Sequence, residues 1–275
     1  MSATLEIDGD RRTSVAQALR ELRPYGGTIL AFAERNVRVR YKQTLLGVLW
    51  VVLQPLAFTL VFSVAVGRLA RVGSAGTTYE AFSLSAFVVW SFIQSAVSQG
   101  ANSLVSDAAF LRKVYFPREV PVLAAQLSAT VDFAVALATF YVIGPLLGAD
   151  VSPTWLLAPV LFLGVLVLVT GVSLMLAGLN VYYRDFRNAL PFLLQLWLFA
   201  SPVIYPLTTV SEKWQPLYAL LNPAAGLLDS FRRVLTVGQL PDPELLGLSL
   251  AGTLAVVVAG MALFRRLEPN FADVV

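Results

Sequence analysis

The stretch LLGVLWVVLQPLAFTLVFSVAVG (45–67) runs for 23 residues without a charged side chain. A helix rises about 1.5 Å per residue, so this run can cross the ~30 Å hydrocarbon core of a bilayer. A helix on a water-soluble protein keeps one polar face, and this stretch has none. It therefore reads as a membrane span, and five further runs read the same way. Residues 81–106, 151–183, 188–211 and 245–264 carry no charge, and 120–149 carries only Asp132. Trimmed of loop residues, the spans are expected at about 45–67, 82–105, 121–147, 155–180, 189–206 and 245–264. The fold class is all-α integral membrane with six transmembrane helices.

The composition agrees. The 275 residues are 57% hydrophobic and 13% charged, with a mean hydropathy of +0.72. Soluble domains average about 25% charged residues. No linker divides the chain, so residues 29–275 read as one membrane domain preceded by a cytoplasmic segment, 1–28. Histidine and cysteine are absent, which removes His general bases, thiolate chemistry and the usual zinc or haem ligands. The net charge of +3 is small and its basic residues sit near span ends, so nucleic acid is not an expected partner. The first 43 residues lack the apolar core of a signal peptide.

Lys and Arg near span ends predict orientation. With six spans, fifteen basic residues fall on the side of the N-terminus, among them Arg35, Arg38, Arg40, Lys42, Arg118, Arg187, Arg265 and Arg266. Five fall opposite: Arg68, Arg71, Lys213, Arg232 and Arg233. Both termini are expected on the cytoplasmic side. The run 214–228 is apolar but short, and Pro216 and Pro223 lie in it. It reads either as a re-entrant pair of short helices or as a seventh span, and the charge totals are the same for both.

Residues 29–42 read as an amphipathic helix on the inner surface. Ile29, Phe32, Ala33 and Val37 share one side, Arg35, Arg38 and Lys42 another, and Glu34 pairs with Arg38 at i, i+4. No phosphate-cradling glycine loop is present, so the chain is not expected to hydrolyse ATP. No pair of intramembrane carboxylates suggests an enzyme. Asp132 reads either as a residue lining a pathway or as a buried carboxyl bonded to a neighbouring helix. The loop 107–119, DAAFLRKVYFPRE, places aromatics between charges and reads as a short helix docking into another protein, or as a loop folded onto the membrane surface. Trp50, Trp90, Asp132, Trp197, Phe199 and Tyr205 are candidate channel-lining residues, because aromatic faces stack on sugar rings. Interfacial aromatic belts are the alternative for the aromatics.

Four blocks resemble one family. RNVRVRYKQTLLGVLWVVLQPL (35–56), LRKVYFPREVPVLAAQLSATVDF (111–133), NVYYRDFRNALPFLLQLWLFASPVIYPL (180–207) and WQPLYALLNPAAGLLDSFRRVL (214–235) resemble the permease subunits of ABC exporters for bacterial surface polysaccharides. These are the O-antigen, capsule and teichoic acid exporters. The resemblance implies an ABC type-2 permease fold that works as a homodimer in the bacterial inner membrane. It implies two copies of a separate ATPase subunit, which hold ATP and Mg, while this chain binds no cofactor. It implies a coupling helix formed by Phe110, Leu111, Arg112, Lys113, Val114, Tyr115, Phe116, Pro117, Arg118 and Glu119. It makes 29–42 a gate helix, with Arg35, Arg38, Arg40 and Lys42 meeting the diphosphate head of a lipid-linked glycan. It makes 214–235 a re-entrant pair and keeps six spans. Competing readings are an exporter of a non-glycan lipid or drug, an ATP-independent transporter and a membrane-embedded glycosyltransferase.

Overall fold

Hydrocarbon offers no hydrogen-bond partner, so a chain this apolar satisfies its backbone within helices. The computed structural model describes residues 22–42, 44, 46–69, 73–74, 76–111, 116–183 and 185–271, and among these it has no strand. We number the helices α1 (Gly26–Tyr41), α2 (Leu49–Leu69), α3 (Tyr79–Ser106), α4 (Glu119–Ile143), α5 (Pro153–Tyr182), α6 (Asp185–Phe199), α7 (Gln215–Leu221), α8 (Pro223–Thr236) and α9 (Pro243–Leu267). Five of them, α2, α3, α4, α5 and α9, are long and apolar enough to cross a membrane. The protein is a multi-pass membrane protein.

The expected fifth span, 189–206, is a shorter element. Helix α6 has 15 residues, or about 22 Å of rise. It ends at Phe199, and the chain then turns through Ser201 and Pro202 rather than continuing as helix. The stretch 214–228 divides between two helices, each too short to span. Pro216 and Pro223 occupy their first turns, where a missing N–H costs nothing.

Helix α3 is the hub and packs against α2, α4, α5 and α8. Small residues let the helices approach. A Cβ on Gly100 of α3 would lie 2.7 Å from Ser173 of α5, and one on Gly171 of α5 would lie 2.8 Å from the Val257 backbone of α9. Between them sits an aromatic core in which Phe133 stacks on Phe162 at 4.2 Å and Phe92 meets Phe162 at 4.7 Å.

The connections sort to two ends. At one, Thr77 Oγ1 donates to Gly148 O (3.1 Å), Asp150 N to Thr236 O (2.9 Å) and Thr154 Oγ1 to Val234 O (2.8 Å). There the turn after α6 is held by the short helices. Asn222 Nδ2 donates to Ala200 O (3.0 Å) and accepts, through Oδ1, from Trp197 Nε1 (3.0 Å). Arg232, one of the basic residues counted opposite the N-terminus, is buried. It donates to Pro202 O (2.7 Å) and lies 3.6 Å from the Phe82 ring centre. At the other end α1, the chain around Phe116 and the ends of α5 and α9 share a second core, closed by Tyr182 OH donating to Leu267 O (2.8 Å).

Candidate functional site

Helix α1 packs lengthwise on α4. Phe32 meets Phe116, three residues before α4 begins, at 5.5 Å. Two turns later, Arg40 stands beside Asp132. By helix rise Asp132 is about 20 Å from the start of α4. So the face of α1 read as apolar from Ile29, Phe32, Ala33 and Val37 also carries Arg40, three residues after Val37.

A charge on that face needs a partner, because an unpaired ion in a low-dielectric crevice is costly. Arg40 Nη1 pairs with Asp132 Oδ2, and Arg40 Nη2 donates to Gln99 Oε1 on α3 and to Ser128 Oγ on α4 (2.9 Å). Tyr41 OH donates to the other Asp132 oxygen. Both carboxylate oxygens are thus held from α1. Burial, with help from the Asp132 hydrogen bond, pushes the Tyr41 phenol up to about 12, so it stays a donor at physiological pH. Asp132 is thus a bonded carboxyl, and it also borders a small cavity of about 60 Å³ with Gln54, Ser91 and Ser95.

The other proposed head-group residues separate. Arg35 pairs with Asp107 at 2.6 Å and lies over the rings of Phe32 (4.6 Å) and Phe110 (5.1 Å). Arg38 is exposed and pairs with Glu34, as the i, i+4 spacing predicts. Lys42 is exposed just past α1. Arg35, Arg40 and Arg187 line a cavity of about 550 Å³ with Ser98, Gln99, Asn102 and Asp107. Arg187 is a residue the sequence assigned only to charge counting.

Within the run assigned to ATPase docking, Arg112, Lys113, Val114 and Tyr115 lie outside the described residues, as does the Leu111 side chain. The chain makes one helical turn at Ala108–Leu111, and Phe110 is 48% exposed. Phe116 and Glu119 require a correction. Phe116 is buried in the α1-end core, and Glu119 is buried with Arg265 Nη2 2.9 Å from its Oε1. Neither presents a docking surface; both tie this loop to the bundle. Pro117 and Arg118 are half-buried beside them.

The aromatic candidates also divide. Trp90 is corrected: it is 2% exposed and meets Trp197 edge-on at 5.6 Å, so it belongs to the core. Trp197 is half-buried and spends its N–H on Asn222. Tyr205 OH lies 3.2 Å from Tyr218 OH. Trp50 and Phe199 are exposed, on α2 and α6.

The feature sequence reading missed is a polar face on α3. From 91 to 106 the positions that are not buried are Ser91, Gln94, Ser95, Ser98, Gln99, Asn102, Val105 and Ser106. All but Val105 carry a hydroxyl or amide. The face is about 22 Å long by helix rise, and both cavities open onto it. Lipid-facing positions of a span are apolar, so a polar accessible face is not the surface expected against lipid. The spacing of Ser91, Ser95, Gln99, Asn102 and Ser106 by three or four residues was a visible signal.

The chain also has close relatives in sequence. Residues 28–236 match the family model described as ABC-2 type transporter. The chain is 30% identical over 258 residues to the O-antigen export system permease protein RfbA of Myxococcus xanthus, covering 93% of this chain and 98% of that one. It is 25% identical over 247 residues to the protein of the same name from Klebsiella pneumoniae, covering 90% and 94%. It is 23% identical over 244 residues to the polysialic acid transport protein KpsM of Escherichia coli, covering 88% and 93%. The helical architecture and these matches together place the chain in the ABC-2 type transporter family.

Proposed function

We propose that this chain is the permease subunit of an ATP-driven exporter that moves a lipid-linked polysaccharide out across the bacterial inner membrane. The observation that carries the reading is the hydroxyl- and amide-lined face of α3, which meets an arginine-rimmed cavity at the α1 end. Neutral hydroxyls and amides suit sugar hydroxyls, and arginines suit a phosphate-bearing head. The relatives named for O-antigen export and polysialic acid transport support the cargo class.

In this reading the protein works as a homodimer with two ATPase subunits, and the α1 end faces the cytoplasm with both termini. Helix α1 is the gate helix at the cargo's point of access. The turn at Ala108–Leu111 is the coupling helix, with Phe110 exposed for the ATPase. Helix α6, with the turn that follows, is the sixth membrane crossing, and α7 and α8 are a re-entrant pair at the outer end. Trp50 and Phe199 are retained as channel-lining candidates, since both are exposed.

The mechanism follows from the site. The cavity gathers the charged head of the cargo at Arg35, Arg40 and Arg187. The α3 face gives the sugar a hydrated path beside apolar spans that take the lipid. ATP closure in the partner moves the loop after α3. That loop is joined to α1 through Arg35–Asp107 and through Phe32 against Phe110 and Phe116.

The test is reconstitution of the chain with its ATPase partner in liposomes bearing a polyprenyl-diphosphate-linked glycan. Outward movement of the glycan that requires ATP supports the reading. ATP hydrolysis without glycan movement, and with movement of an unglycosylated lipid instead, overturns it.

A further inference from the structure

We propose that the Arg40–Asp132 pair is a latch holding the end of α1 on the bundle, and that the anionic head of the cargo opens it by competing for Arg40. This inference rests on the lipid-linked glycan reading for the nature of the anion.

The latch is seen in the arrangement of partners. Arg40 and Tyr41, the last two residues of α1, hold one oxygen each of Asp132. Beyond them the chain passes to α2 through Gly47, whose φ of +49° is a left-handed joint open to glycine at no steric cost. The anchored end of α1 therefore lies a few residues before this glycine.

The competing site is in contact with the same arginine. Arg40 forms part of the wall of the 550 Å³ cavity, with Arg35 and Arg187 on the same wall and Asp107 among the lining residues. Arg40 Nη2 donates to Gln99, which also lines this cavity, and to Ser128; both partners are neutral and exchangeable. A diphosphate offers several charged oxygens, where Asp132 offers one carboxylate. Arg35 and Arg187 add charge that favours the anion over the carboxylate. A ligand shifts such an equilibrium by its differential affinity for the two states, and this anion binds better when Arg40 has turned toward the cavity. Helix α1 also carries Arg35–Asp107 and the Phe32 contacts, so release of its end is communicated to the loop beside the ATPase.

The chain has no cysteine, so a single engineered thiol reports on α1. Ala33 is buried on the face of α1 that packs on α4. In the assembled complex in liposomes, Ala33→Cys is labelled with a maleimide and the rate measured. Asp132→Asn in that background is expected to speed labelling roughly tenfold, the change given by ~1.4 kcal/mol. With Asp132 intact, farnesyl diphosphate is expected to speed it and farnesol is not. Exchange of the charges, Arg40→Asp with Asp132→Arg, is expected to restore slow labelling and to abolish the response to the diphosphate. Equal rates with Asp132 and with Asn at 132 overturn the latch, whatever the cargo. Faster labelling with Asn but no response to farnesyl diphosphate overturns the anionic trigger. Failure of the cargo reading is separate, since it shows as absent glycan transport by the unaltered complex.

Discussion

Helices α2 and α3 are neighbours with opposite surfaces. Both are apolar enough to cross a membrane, yet 17% of the α2 span is buried against 78% of the α3 span. On α2 the accessible side chains are mostly apolar, among them Trp50, Leu53, Phe58, Leu60 and Val61, with Gln54 accessible beside them; Thr59 and Ser63 are buried. On α3 the accessible positions of the half nearer α1 are polar apart from Val105. The contrast teaches that hydropathy alone does not say what a span faces. Helix α2 presents the surface expected for lipid or a second copy of the chain. Helix α3 presents one expected for water and sugar. Two helices read from sequence by the same rule thus present different surfaces.

The largest expected effect comes from making α3 resemble α2. The double substitution Ser95→Leu, Gln99→Leu should lower glycan export at least 100-fold while the protein still inserts and pairs with its ATPase, measured by export in reconstituted vesicles and by co-purification. Next is a contrast within the loop after α3. Phe116→Asp should destabilise the fold by about 3–5 kcal/mol, the range for losing a buried aromatic. Phe110→Asp should leave the fold intact and release the ATPase; thermal unfolding and co-purification separate the two. Arg187→Ala should raise the cargo concentration needed for half-maximal ATPase stimulation about tenfold, as loss of a charged contact to phosphate predicts. On α2, Leu60→Ser with Val61→Ser should change export less than threefold and weaken only membrane stability or dimer formation, read by crosslinking. The smallest effect belongs to Tyr41→Phe. The phenol's raised value means its hydrogen bond is fully present below pH ~10 and lost only as pH passes about 12. The loss on Tyr41→Phe should therefore be the same at pH 6.5 and 8.5.

Much of the fold was legible because lipid imposes a simple rule on long apolar runs. The five long helices start and stop close to the uncharged stretches. Helix α6 was less legible, since hydropathy does not register where a chain turns: 188–211 is uncharged throughout, but Ser201-Pro202 bends it. The prolines at 216 and 223 gave the break between α7 and α8, whereas the burial of Arg232 against Phe82 depends on a partner helix far away in sequence.

The site was partly legible. Asp132 was marked as the lone charge in a span, and Arg40 lay at the spacing of the α1 apolar face. Each was an oddity whose explanation was the other, but 92 residues separate them and only the packing of α1 on α4 joins them. Exposure was harder. Trp90 was read as channel-lining because aromatic faces stack on sugar rings, and Phe116 as docking because it lies between charges; both proved to be core. The α3 polar face was written at helical spacing, yet serine and asparagine in spans also bond back to their own helix, as Ser91 and Asn102 do here. Accessibility, which periodicity does not report, distinguishes the two.

The most direct test of the central claim is thiol accessibility along the two helices, on single cysteines in this cysteine-free chain. Cysteines at Ser91, Ser95, Gln99, Asn102 and Ser106 of α3, and at Leu60 and Val61 of α2, are exposed to a membrane-impermeant maleimide from the α1 side. The α3 positions are expected to react, fastest at 106 and slowest at 91, and to be protected by lipid-linked glycan, while the α2 positions stay unlabelled. Unreactive α3 positions, or α3 labelling that glycan leaves unchanged, would contradict a hydrated cargo crevice on α3.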